Sequence, residues 1–446
     1  MSFLSYSHYK YGGEKWLGEV PEHWNIMPMW KLFRRMKRVG HESEQLLSVY
    51  REHGVVPKAS RNDNNNKASD DLSSYQLVRQ GDLVINKMKA WQGSVAISDH
   101  QGIVSPAYFV YESINEEESR YLHYLMRSLR YVTGYFSMSK GIRVNQWDLE
   151  PQYHSRIPVL IPPKDEQKAI VRLLDRETVK IDVLISEQEK LIKLLAEKRQ
   201  ATISRAVTKG LNPAAAMKDS GVDWLGEVPE HWEIGPIKKW FSTSSGGTPD
   251  TGKHDIYYTD EGGFPWIRTT DLNNDVLDAF EISITEEAIK STACKTLPAG
   301  SVLLAMYGGD GTIGKNALLS FDACINQAVC ALIPNQDFLS EFTFRYVQFY
   351  RPYWMIGAES SRKDPNIGQS LIQNTKILRP PVDEQMQIVS FLRTEIGRLN
   401  ALSAEARHGI ELLNERRSAL ISAAVTGKID VRQAAQQQQI TIQEAA

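Results

Sequence analysis

The side chains best equipped for chemistry in this 446-residue chain are basic, amide and aromatic residues that share short loops. In the N-terminal half they are Lys31, Arg34 and Arg35 in the run KLFRRMKR, Lys87, Lys89 and Trp91 in NKMKAWQG, and Lys140, Arg143 and Asn145 in SKGIRVNQW. In the C-terminal half, WIRTTDLNN supplies Arg268 and Thr269, and AMYGG supplies Tyr307. Lys315 lies a little further on, and SSRKDPNIGQ adds Ser361, Arg362, Lys363 and Gln369. Arginine and lysine meet phosphates or guanine edges, and Asn or Gln grips adenine. The mixture therefore suits contact with DNA. Each loop taken singly also reads as an ordinary solvated loop; recurrence at similar places in both halves favours the first reading.

Motifs for bond-making chemistry are missing. GGDGTIGKN (308–316) nearly spells a phosphate-binding loop, but Asn316 stands where Ser or Thr should reach magnesium. The next residues, ALLS, read as a strand and not the helix whose N-terminus would face phosphate, so a glycine-rich hairpin is expected. No dinucleotide fingerprint, zinc-protease motif, nucleophile elbow or Asn-Pro-Pro-Tyr pocket signature is present. His23 and His231, each flanked by tryptophan, read as residues that cap or pack a turn in preference to catalysts. Cys294, Cys324 and Cys330 lack C-x-x-C spacing. They read as reduced packing residues of a cytoplasmic protein, with a zinc site as the weaker alternative.

The net charge of -2 argues for no partner by itself. Residues 24–156 hold 18 Lys and Arg against 14 Asp and Glu, whereas residues 233–376 hold 12 against 17. DNA contact thus gains a little from the first region and loses a little from the second. No stretch has the apolar length of a membrane span, and the first residues lack the apolar core of a signal peptide.

The elements that must position these loops announce themselves by repetition. WLGEVPEHW occurs at 16–24 and again at 224–232, 208 positions on. PPKDEQKAIVRLL begins at Pro162 and PPVDEQMQIVSFL at Pro380, and each leads to a similar ending, RAVTKG (205–210) or SAAVTGK (422–428). The chain is therefore two copies of one unit: tag, variable region, Pro-Pro-x-Asp-Glu-Gln, long tail. The prolines are tolerated only before a first helical turn, and Asp165, Glu166, Asp383 and Glu384 suit the positive end of a helix dipole. Apolar residues then recur at threes and fours: Ile170, Leu174, Ile181, Leu184, Leu191, Leu195 and Thr202 in one tail. The other tail has Ile388, Leu392, Ile396, Leu399, Leu402, Ile410, Leu413 and Leu420. Each spacing predicts a helix of about 40 residues, roughly 60 Å, with a weak point at Gly409. A stripe that long needs a partner: its twin, antiparallel, or else its own domain's core.

The variable regions alternate short β-rich runs with Gly and Asn-Asp clusters, and GDLVIN aligns with GSVLLA so that Gly81 matches Gly300. Each reads as a mainly β domain with small helices, over 118–131 in the first copy and 340–350 in the second.

Taken in order, the tag, the P-P-x-D-E-Q helix start, the A-V-T-K-G helix end and the two Gly-Asp-Leu-Val-type passages resemble the specificity subunit of type I restriction-modification enzymes. The resemblance covers about 16–430. It implies an α+β, pseudo-two-fold fold: two homologous, mainly β target-recognition domains joined by two long antiparallel helices. The implied boundaries are a first recognition domain at 1–156, a central spacer helix at 157–210 and a linker with the second recognition domain at 211–376. A distal spacer helix at 377–430 and a low-complexity extension at 431–446 complete the chain. The resemblance further implies a bipartite double-stranded DNA target, two methyltransferase subunits and two restriction or translocase subunits. S-adenosylmethionine, and ATP with magnesium, belong on those partners and no cofactor on this chain. Recognition domains of this family vary, so no base-reading residue transfers, and the loop residues above remain candidates by chemistry. Two rivals stand beside this reading: a scaffold or decoy that binds proteins through the paired domains, and an autonomous DNA-modifying enzyme, which the missing motifs disfavour.

Overall fold

The computed structural model describes residues 4–51, 53–61, 68–140, 147–308, 311–359 and 366–432. The chain forms two compact units, residues 1–189 with 407–446 and residues 190–406.

In the first unit, Phe33–Met36, Tyr108–Ser113, Leu83–Asn86 and Val95–Ile97 form an antiparallel sheet in that order. In the second, Thr243–Ser245, Val329–Leu332, Val302–Ala305 and Asn316–Leu319 stand in the same order, and Val276–Leu277 adds a parallel fifth strand. The internal repeat therefore runs through the inserts whose sequences differ. Gly81 and Gly300 enter matching strands with φ of 89° and 85°, a left-handed turn that glycine adopts without steric penalty. The inserts differ around this shared sheet. The first carries the hairpin Leu47–Tyr50 with Gly54–Pro57, the second a four-stranded sheet that includes Phe264–Ile267 and Cys324–Ile325.

The helix expected over 118–131 is two helices, Ser119–Arg127 and Leu129–Met138. Ser128 breaks it: its backbone is extended and its hydroxyl donates to the Leu125 carbonyl, competing with the helical ladder. The counterpart runs on past the expected end, as Ser340–Glu359.

The two tails are single helices, Lys164–Lys209 of 46 residues and Val382–Val425 of 44, and Gly409 interrupts nothing. Within the first unit Ile170, Leu173 and Leu174 share a core with Ala424 and Val425, and Asp182 pairs with Arg417. One helix counts up while the other counts down, so these stretches are antiparallel. Within the second unit Ile203, Ala206 and Val207 likewise share a core with Ile388, Leu392 and Ile396. Both expected partners are real, since these cores also contain the sheet-bearing inserts. The apolar stripe is not continuous, however: Leu184, Leu191 and Leu402 are exposed, as are Val179, Val183 and Leu194. Burial is concentrated at the helix ends, where insert and tag supply the covering surface.

The tag explains its own repetition. Trp16 packs edge-on to Tyr131 and against Gly134, where a Cβ would lie 2.8 Å from its ring, and Trp224 packs on Tyr350 and Tyr353. Gly18 and Gly226 turn the chain at φ 70° and 62°, and Val20 and Val228 are wholly buried. Glu19 and Glu227 offer backbone carbonyls to the ammonium groups of Lys428 and Lys209 at the helix ends. His23 and Trp24 then close on Glu166, at 2.8 and 2.9 Å, and His231 and Trp232 on Glu384, at 2.8 and 3.0 Å. Glu166 thus has a second task beyond the helix dipole: it is buried and also accepts from the Tyr6 hydroxyl at 3.1 Å. The neighbouring glutamine is as specific. Gln167 accepts from the Glu118 amide and donates to the Pro162 carbonyl, while Gln385 accepts from Leu339 and donates to Pro380. In each unit, then, Glu ties the helix to the tag and Gln ties it to the helix of the insert.

Candidate nucleic-acid interface

In the first unit the loop after Leu83–Asn86 forms a short turn, Ala90–Gln92, closed by Gly93 at φ 94°. The segment beyond Leu129–Met138 lies beside it. Leu149 donates its amide to the Lys87 carbonyl, and Lys140 and Asp148 exchange backbone hydrogen bonds of 3.1 and 2.9 Å. The ring of Trp91 stands 5.0 Å from Trp147 and 6.3 Å from Phe136, and Phe136 stands 5.4 Å from Trp147. Lys140 places its ammonium 5.0 Å from the centre of Tyr153. The fold therefore brings Lys87, Lys89, Trp91 and Lys140, from two separate loops, into one basic and aromatic patch.

Lys31, Arg34 and Arg35 have other engagements. Lys31 lies over Trp30, Arg35 lies 4.4 Å over Phe109, and Arg34 pairs with Glu112 at 2.6 Å. The Arg34 hydrogen bond holds the Glu112 carboxyl below its usual range. Their neighbour Arg38 is bound by Asp82 and Glu112, a structural arginine inside a basic run.

In the second unit the hairpin Val302–Ala305 and Asn316–Leu319 replaces any phosphate loop. Thr269 is buried beside Gly308, Tyr307 is exposed, and Lys315 donates its amide to Thr312 and accepts from Ala305. Ile367 donates to the Met306 carbonyl at 2.7 Å, which brings the residues before Gln369 to the same hairpin. Gln369 itself donates to the Thr243 hydroxyl at 2.9 Å. Arg268 is held at 2.8 Å by Asp271 and 2.9 Å by Glu281, and the Asp271 hydrogen bond raises its already high pKa. Its charge is largely matched. Arg143, Asn145, Ser361, Arg362 and Lys363 lie outside the described residues.

Phe136 and Tyr153, outside the basic loops, and Met88, within one of them, also belong to the first patch; Phe136 is 49 % exposed and Met88 43 %. A signal existed for Phe136. Leu129 and Phe136 are seven apart and both exposed, whereas Tyr131 and Tyr135 on the other face are buried.

The remaining reactive side chains are packed. Burial pushes the Cys324 thiol up to about 11 and Cys330 up to about 12, far from thiolate reactivity. Among the described residues no cluster of His, Cys, Asp and Glu is placed to hold a metal ion, and no helix is long and apolar enough to cross a membrane.

Residues 41–193 and 229–412 match the family model described as "Type I restriction modification DNA specificity domain". The chain is 26 % identical over 294 residues to the EcoR124I/EcoR124II specificity subunit of Escherichia coli, covering 62 % of this chain and 63 % of that subunit. It is 21 % identical to the EcoKI specificity subunit of E. coli K12 across 92 % of this chain and 90 % of that one. A solved chain from a study of assembly and conformational transition of the type I R-M system matches 92 % of this chain and 99 % of itself. There the TM-score is 0.64 at 16 % identity, a likeness of fold.

Proposed function

This chain belongs to the type I restriction-modification DNA specificity family, and from that premise we propose that it reads a bipartite DNA target, one half through each recognition domain, 1–156 and 211–376. As a specificity subunit it supplies recognition and not catalysis. Two methyltransferase subunits dock on it and carry S-adenosylmethionine, and two restriction or translocase subunits carry ATP with magnesium. The spacer helices, 157–210 and 377–430, hold the two readers at a set separation.

The observation that supports this most directly is the repeated strand order. In both units the loop leaving the same central strand, after Asn86 or after Ala305, meets a segment from beyond the insert's helix. Two like platforms with unlike loops suit two unlike half-sites. The residues proposed to touch DNA are the first patch, Lys87, Lys89, Trp91 and Lys140, and in the second domain Tyr307, Lys315 and Gln369; Thr269 is buried beneath the hairpin of that domain and supports it. Lysine there positions the backbone, and amide and hydroxyl groups meet base edges.

Footprinting of the chain assembled with its methyltransferase partner tests the reading. A split, sequence-dependent footprint is expected. Protection of no particular sequence would leave the protein-binding scaffold as the better account.

A further inference from the structure

We propose that the exposed aromatic cluster of the first unit enters the DNA as an apolar wedge, so that this domain recognises its half-site partly by unstacking it. The inference rests on the DNA-reading function proposed for the chain and adds a mode of contact to it.

Trp91, Phe136 and Trp147 form a mutual cluster with centroid distances of 5.0 to 6.3 Å, and Phe136 is half exposed with Met88 beside the same loop. A fold with buried core available would hide such rings; here Tyr131 and Tyr135 of the same helix are hidden and Phe136 is not. A partly exposed cluster of rings in mutual contact is a feature that marks a binding surface. Lys140, two residues past the helix that carries Phe136, and Lys87 and Lys89 of the Trp91 loop add positive charge to the same two segments, which suits a phosphate backbone flanking an apolar base stack. The occupant that has both properties is nucleic acid, whose bases stack on aromatic rings and whose steps open around apolar wedges. The second unit exposes apolar side chains at comparable places, without the ring cluster of the first. Tyr307 comes after the matching strand of the second unit as Met88 comes after its own, and it is also exposed. Ile356, on the helix of the second insert, is exposed as Phe136 is on the first.

The test uses the complex with its methyltransferase partner and target DNA carrying 2-aminopurine at each position of the first half-site in turn. The wild-type complex should raise fluorescence at one step, the sign of unstacking. Phe136→Ala should remove that rise and weaken binding by roughly 5- to 150-fold, the range of an aromatic stack on a base. It should leave the salt dependence unchanged, since no phosphate contact is lost. Lys140→Gln should do the reverse, lowering the salt slope by about one contact while fluorescence persists. Phe136→Leu, which keeps an apolar side chain, should restore part of the affinity and part of the rise. A specific wild-type footprint without any fluorescence rise would overturn the wedge and leave the reading of DNA intact. Unchanged fluorescence and affinity in Phe136→Ala would overturn it too. Absence of any specific footprint would overturn the underlying function instead.

Discussion

At Glu166 three donors converge on one buried carboxylate: the Tyr6 hydroxyl, the His23 ring and the Trp24 indole. Glu384 repeats the arrangement with two, His231 and Trp232, and is more open to solvent. Glu166→Gln removes the charge and turns one end of the acceptor into a donor. It should destabilise the protein by about 1–3 kcal/mol, the cost of unpaired buried donors, and Glu384→Gln by less; urea unfolding of both variants measures the difference. His154 tests burial in another way. It is 1 % exposed between Tyr111 and Tyr135, and neither ring nitrogen has a hydrogen-bond partner among the described residues. Burial lowers its pKa to about 3 from the ordinary 6.5. The folded state therefore holds the neutral ring, and its stabilising effect is complete above pH 6.5. It is lost as pH falls toward 3, because the unfolded chain takes the proton first. Between about pH 7 and pH 5 this residue should cost about 2 kcal/mol. His154→Phe should flatten that part of the pH profile, and urea midpoints at the two pH values would show it; an unchanged slope would mean the ring is hydrated.

At the scale of elements, the long helices divide their labour between ends and middle. Their ends are locked by the tag, by the glutamate and glutamine of the helix start, and by glycine at the helix end. At Gly427 a Cβ would run into the ring of Pro21. Their middles carry exposed apolar residues, Val183, Leu184, Leu191 and Leu194. An uninterrupted helix of 46 residues extends for about 69 Å at 1.5 Å per residue. The proposed two-reader function would use such a helix as a ruler, with half-sites expected near one turn of DNA apart, roughly 34 Å. Inserting a few residues near Leu191 should lengthen the unread gap and leave both half-sites as they were. Methylome mapping of cells carrying the variant reads this directly, and an active variant with unchanged spacing would refute the ruler.

For the whole molecule, charge sets a limit on what the chain can do alone. Its net charge is -2, and region 233–376 carries 12 basic against 17 acidic residues, among them the Asp271 and Glu281 that occupy Arg268. Counterion release from a region with more acidic than basic residues supplies only part of a DNA affinity. The chain should bind target DNA weakly by itself and about tenfold or more tightly with the proposed methyltransferase subunits docked, if these add phosphate contacts of their own. Titration of labelled DNA with each, at one fixed salt, gives the comparison. Equal affinities would mean that local charge at the loops outweighs the total.

Repetition made the plan of this protein readable from its residues. Nine identical residues, two Pro-Pro-x-Asp-Glu-Gln starts and helical spacing over some 40 residues are local signals, written in propensity and period. They located the helices, the tags and the matched Gly81 and Gly300. The stripe misled in its middle, because period marks a face and cannot say whether anything covers it; Leu184, Leu191 and Leu402 follow the period and are exposed. Ser128 was legible as a helix residue and acts as a break, a choice made by a hydrogen bond to Leu125. The meetings of distant residues belong to the folded chain alone. Glu166 takes its donors from positions more than 140 residues away, Trp91 meets Trp147 across the domain, and Arg268 is matched by Glu281. Such contacts depend on how strands register and loops converge, and a one-dimensional pattern carries no record of that until the chain has closed on itself.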